Sequence, residues 1–133
     1  MRDMVLTDVI DKTEELFKKS TEIVAVYVFG SRATGKDRHG SDLDMAILVR
    51  GLMDGFARVR METALSSLLG KDVDMVIFGQ ATPLLQHQIL KYGHLIYEAD
   101  SKERVRQEVA ARRNYMDTRF LYRMIKEDRA HGG

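Results

Sequence analysis

Apolar positions recur along the chain with two periods, and the period switches at short polar breaks. Residues 4–19 carry Leu6, Ile10, Thr13 and Phe17 along one face at helical spacing, with Lys18 and Lys19 at the end that favours cations. Ile23 to Phe29 is a run of β-branched and aromatic residues and predicts a buried strand. It stops at Gly30-Ser31, a stretch rich in glycine and charge follows, and a second apolar run, Met45 to Val49, predicts an antiparallel or adjacent partner strand. Gly51 and Gly55 loosen the next link, and Asp54 is placed to cap a helix over residues 55–69. Met61, Leu65 and Leu68 or Leu69 form the apolar stripe of that helix, and Gly70 ends it. Asp72 to Phe78 predicts a third strand. Thr82-Pro83 supplies a capping hydroxyl and a proline at the first position of a helix running to about Tyr92, stopped by Gly93. A short strand, His94 to Tyr97, follows. Asp100 and Glu103 have capping-box spacing for a last helix, about 101–127, with Val105, Val109, Met116, Phe120 and Met124 at helical intervals. The order of elements predicts an α/β fold, a small mixed β-sheet flanked by helices and followed by a long C-terminal helix.

Composition narrows the class. The 133 residues predict one domain, with a core over about 5–98, and 44% hydrophobic with 31% charged residues favours a folded chain over disorder. A net charge of +1, from 21 basic and 20 acidic residues, argues against a bulk nucleic-acid binder. The absence of cysteine excludes disulfides, thiolate metal sites and a cysteine nucleophile. No apolar run approaches the roughly eighteen residues of a membrane span, and Met1-Arg2-Asp3 does not open a signal peptide, so a cytoplasmic protein without membrane association is expected. Charge is uneven: from Ser101 onward nine basic residues face five acidic ones, interleaved with Tyr115, Phe120 and Tyr122. That composition fits a partner-docking helix and equally a helix with one face on the core and the other solvated.

The candidate chemistry lies between Gly30 and Val49. Asp42 and Asp44 stand at i and i+2, which on a strand directs both carboxylates to one face. Two like charges so close are costly unless a cation lies between them, and oxygen ligands of this kind suit magnesium. Gly30 permits close backbone approach, and Ser31 can open a turn whose free amides face an anion. His39, His87, His94 and His131 are scattered without ligand spacing, and none is visibly paired with Ser31, so acyl transfer is not indicated.

The arrangement Gly30-Ser31, ten residues, Asp42-x-Asp44 resembles the signature of the DNA polymerase β-like nucleotidyltransferase superfamily, and the resemblance covers most of residues 5–98. The short chain resembles the minimal nucleotidyltransferase (MNT) branch, whose members often serve as antitoxins of HEPN/MNT toxin–antitoxin pairs. The resemblance implies two magnesium ions, ATP as substrate, and Asp42 and Asp44 as ligands of both metals. It implies a third aspartate on the strand after the intervening helix, and Asp74, flanked by Val73, Met75 and Val76, matches that context. Asp72, on the same face by period two, is the competitor, but next to Lys71 at the strand's mouth it reads better as a solvated strand-end charge. Gly30 and Ser31 would hold the triphosphate. Arg32 would clamp a β- or γ-phosphate or remain a surface arginine, and Ser41 would bind phosphate or stabilise its own turn. Lys36 and Arg38 read as solvated loop charge. The implied activity is transfer of AMP from ATP onto a tyrosine of a cognate HEPN ribonuclease toxin, which neutralises it. Two readings stand beside it: an antitoxin that neutralises by binding alone, and an aminoglycoside-type adenylyltransferase, against which the missing acceptor domain counts.

Overall fold

β1 (Ile23–Phe29) is apolar on both faces because a layer of helices packs on each, while its two edges pair antiparallel with β2 (Leu43–Val49) and with β4 (His94–Glu98). The computed structural model describes residues 5–30 and 43–131. β3 (Val73–Ile77) lies parallel to β2 at the far edge, giving the order β3-β2-β1-β4. The link between the parallel pair is α2 (Gly55–Leu69), the crossover that parallel neighbours require. α1 (Leu6–Lys18) precedes the sheet, α3 (Pro83–Tyr92) lies between β3 and β4, and α4 (Ser101–His131) follows the last strand.

Strand periodicity sorts the side chains into two layers. Val9 and Phe17 of α1 and Leu65 and Leu69 of α2 pack on the sheet face formed by Val26, Val28, Leu43, Met45, Ile47, Val73 and Met75. Ile89 of α3 and Ala111 of α4 pack on the opposite face, with Ala25, Tyr27, Ala46 and Leu48. A bulge in β1 between Ile23 and Ala25 lets Val24 and Ala25 share that second face.

The local signals read from the sequence form as expected at most ends. Asp54 accepts the Ala57 N–H at 2.7 Å, Gly70 closes α2 in the left-handed region, and Thr82 Oγ1 accepts the Leu85 N–H at 3.2 Å ahead of Pro83. The capping box of α4 is half-formed: Asp100 accepts the Glu103 N–H at 3.1 Å, but Glu103 turns its carboxylate to Arg106 and Gln107. In α1, Val9 is buried with Thr13 and Phe17, whereas Leu6 and Ile10 are half-buried at the rim. Of the two candidates at the end of α2, Leu69 enters the core and Leu68 is exposed. β3 ends at Ile77, and Phe78, expected within it, opens a 3-10 turn to Gln80.

α4 is fixed to the sheet by polar contacts. The Tyr27 hydroxyl donates to the buried Glu108 carboxylate, and Arg104 donates to Glu108 at 2.7 Å and to Glu98. Burial, then the hydrogen bond to Glu108, pushes the Tyr27 phenol up to about 12. Gln107 Nε2 donates to the Val49 carbonyl at 3.0 Å, and the rings of His87 and Tyr115 stack 3.9 Å apart where α3 meets α4.

Candidate active site

Three strands present one row of residues at one end of the sheet. Phe29 at the end of β1 pairs with Asp44 in β2, and Asp44 pairs with Asp74 in β3. Asp44 lies between Leu43 and Met45, and Asp74 between Val73 and Met75, all four in the layer beneath α1 and α2. Alternation therefore turns both aspartates to the other face. Neighbouring strands are about 4.8 Å apart, so the two carboxylates are near neighbours. Asp74 is exposed and Asp44 half-buried.

Gly30 follows Phe29 directly and completes the row. Its φ of +85° is a conformation that residues with a Cβ adopt at a cost. A Cβ built there would overlap Asp44 Oδ2 and lie 3.1 Å from Asp44 Cγ. The backbone of Gly30 thus lies against the carboxylate, and only glycine leaves that space open.

β3 is an edge strand, so every second backbone group points away from β2 and needs another partner. α2 supplies them. Ser66 Oγ accepts the Val73 N–H at 2.9 Å, and Glu62 Oε2 accepts the Met75 N–H at 2.8 Å. Arg58 pairs with Glu62 at 3.1 Å and donates to the Met75 carbonyl at 3.4 Å. Asp74 is thus flanked on both sides by backbone amides tied to one helix, while the Leu43 N–H donates to the Asp72 carbonyl at 2.9 Å and sets the β2–β3 register. Sequence reasoning did not single out these three side chains. Their spacing at i, i+4 and i+8 was the available signal, a polar stripe on a helix between two strands.

Gly30, Asp44 and Asp74 are therefore brought together. Ser31, Arg32, Ser41 and Asp42 lie outside the described residues. Asp72 is exposed, with its backbone in the β2 ladder. Among the described residues no three His, Cys, Asp or Glu side chains group as a metal cluster. Two adjacent carboxylates, one of them seated in the space that Gly30 leaves by lacking a Cβ, still form an oxygen-donor set that fits a hard divalent cation.

Residues 11–102 match the family model described as Polymerase beta, Nucleotidyltransferase. The chain belongs to this nucleotidyltransferase family. The protein adenylyltransferase MntA of Shewanella oneidensis is 33% identical over 72 residues, 54% of this chain and 52% of that protein. The aligned stretch thus spans about half the length of that relative. A chain of a toxin–antitoxin crystal structure with AMP-PNP superimposes with a TM-score of 0.76 at 25% identity, covering 90% of this chain and 96% of that one. A chain in the structure of a tri-AMPylated Shewanella oneidensis HEPN toxin with its MNT antitoxin shares the fold, with a TM-score of 0.74, 22% identity and coverage of 93% and 98%. The α/β architecture with a mixed four-stranded sheet and a long C-terminal helix is the nucleotidyltransferase fold expected from the Gly30–Asp44 motif.

Proposed function

We propose that the chain is an antitoxin that transfers AMP from ATP onto a tyrosine hydroxyl of a HEPN ribonuclease toxin. The observation that carries this reading is the row Gly30, Asp44 and Asp74 in a polymerase β-type sheet. In the reaction the phenolic oxygen attacks the α-phosphorus of ATP, the bond from that phosphorus to the bridging oxygen of the β-phosphate breaks, and pyrophosphate leaves. The phenolic proton passes to the carboxylate nearest the acceptor, which we assign to Asp74. Asp42, Asp44 and Asp74 would hold two magnesium ions, which when bound lower the charge on the triphosphate and on the attacking oxygen. Gly30 lets the Asp44 carboxylate seat against its backbone and, with Ser31, Arg32 and Ser41, would contact the triphosphate. Support comes from the relative named protein adenylyltransferase and from the toxin–antitoxin structures that share the fold.

We read residues 1–133 as one catalytic domain with α4 as its extension. We place it in the cytoplasm, where ATP and a ribonuclease toxin are both available. Among the described residues no helix is long and apolar enough to cross a membrane. Neutralisation by binding alone is a second reading, favoured by the apolar residues that α4 leaves exposed. The test is incubation with ATP, magnesium and the HEPN toxin, followed by intact mass of both chains. A gain on the toxin of about 329 Da per AMP, absent without the metal, supports transfer. A stable complex with no mass gain overturns it in favour of masking.

A further inference from the structure

We infer that the outward face of α4 is a docking surface for a protein partner that presents an apolar groove rimmed by carboxylates. The inference rests on the toxin-partner reading above and names the surface that such a partner covers. α4 meets the body of the protein through Arg104, Gln107, Glu108, Ala111 and Tyr115, which are buried or half-buried at steps of three or four. Val109 lies two residues from Ala111, about 200° around the helix. Val105, Val109, Met116, Phe120 and Met124 follow one another at steps of four or seven and so share that opposite face. They are 46, 45, 62, 63 and 49% exposed. The usual amphipathic arrangement is thus reversed: a carboxylate faces the sheet while the apolar stripe faces water.

From Met116 to Arg129 every side chain is exposed, although Met116 and Arg119 still border a cavity against His87, Leu90 and Lys91 of α3. Leu121 and Ile125 widen the stripe there, at 58 and 56% exposure. So many large apolar side chains left exposed on one helix, interleaved with Arg112, Arg113 and Arg123, fit an interface better than a solvated face. The family match ends at residue 102, where α4 begins, so the stripe lies outside the matched catalytic unit.

Charge selects the occupant. From Arg112 to Arg129 the helix carries six basic residues against three acidic ones. A second copy of this chain would set those cations against each other, whereas a different chain with carboxylates around an apolar groove would complement both features.

The experiment compares the full chain with the double variant Phe120→Asp/Met124→Asp and with Arg119→Glu/Arg123→Glu, titrated against the HEPN toxin. All four side chains are exposed, so the melting temperatures should match the wild type. The apolar double variant is expected to bind at least about 30-fold more weakly, as loss of a central anchor does. The charge-reversed variant should bind more weakly at low salt, with the difference shrinking as salt rises. Wild-type affinity in both variants overturns the docking surface and leaves the toxin-partner reading intact. Failure of the wild type itself to bind the toxin overturns both. A wild-type chain that is dimeric on its own, and monomeric as Phe120→Asp/Met124→Asp, overturns the choice of occupant.

Discussion

Truncating Glu62 should loosen the catalytic edge of the sheet without touching a carboxylate of the site. Glu62 accepts the Met75 N–H at 2.8 Å, and Met75 is 2% exposed, so Glu62→Ala leaves a buried amide without its partner. Such a loss costs about 1–3 kcal/mol. The Arg58–Glu62 pair, partly open to solvent, adds less than about 1 kcal/mol. A total near 2 kcal/mol corresponds to a fall in Tm of roughly 6–10 °C for a chain of this size. Glu62→Gln keeps an oxygen acceptor and should fall in between. The tether lies one residue from Asp74, so transfer should fall more steeply than stability. A displacement of about 1 Å at a reacting group costs on the order of 100-fold. Denaturant unfolding and toxin modification, assayed at a temperature where every variant is folded, should give wild type, Gln and Ala in that order for both quantities. An alanine variant with a wild-type midpoint, or one that is destabilised yet transfers at full rate, would refute the reasoning.

Gly30→Ala should act on the site more directly. The positive φ costs about 1–2 kcal/mol, and the new methyl displaces the Asp44 carboxylate, so modification of the toxin should fall by at least about 100-fold while circular dichroism still reports a folded chain. Tyr27→Phe removes the donor that faces buried Glu108 and should cost about 1–3 kcal/mol in urea unfolding, with little effect on transfer. The Tyr27 phenol, raised to about 12 in the fold, keeps its proton there after the unfolded chain has lost it near 10. Its contribution is therefore complete below pH 10 and lost between 10 and 12, and Tyr27→Phe should flatten the stability curve in that window. Glu103 has the opposite sign. The Arg106 guanidinium, then the Gln107 amide, hold its carboxyl at about 2, so its contribution is present above 4.5 and fades as pH falls towards 2, and Glu103→Gln should remove that acid sensitivity.

The fold was largely legible because its signals are local. Ile23 to Phe29 is apolar at every position, which only a strand covered on both faces tolerates, and Asp54, Gly70, Thr82 and Pro83 each act within one turn of themselves. The motif was legible for a related reason: Gly30 and Asp44 are close in sequence, and strand period fixes the face of each aspartate. What was hidden depends on partners far along the chain. Tyr27 and Glu108, 81 residues apart, form the contact that seats α4, and nothing local in either position announces it. The same contact decides which side of α4 faces the sheet. An apolar stripe at helical spacing ordinarily identifies the buried side, and here a tyrosine–carboxylate–arginine network takes that side instead. The clamp of Arg58, Glu62 and Ser66 was likewise hidden, because whether a polar helical stripe meets water or a strand edge depends on which strand lies at the edge.

The central claim is that Asp44 and Asp74 act together at one site, and transfer rates of Asp44→Asn, Asp74→Asn and the double variant test it most directly. Groups that act as a unit are strongly non-additive, so each single variant should lose nearly as much rate as the double, on the order of 1,000-fold or more. Asp72→Asn, whose side chain is not in the row, should stay within a few-fold of the wild type. Near-wild-type transfer by Asp74→Asn, or equal losses in Asp72→Asn and Asp74→Asn, would contradict the account.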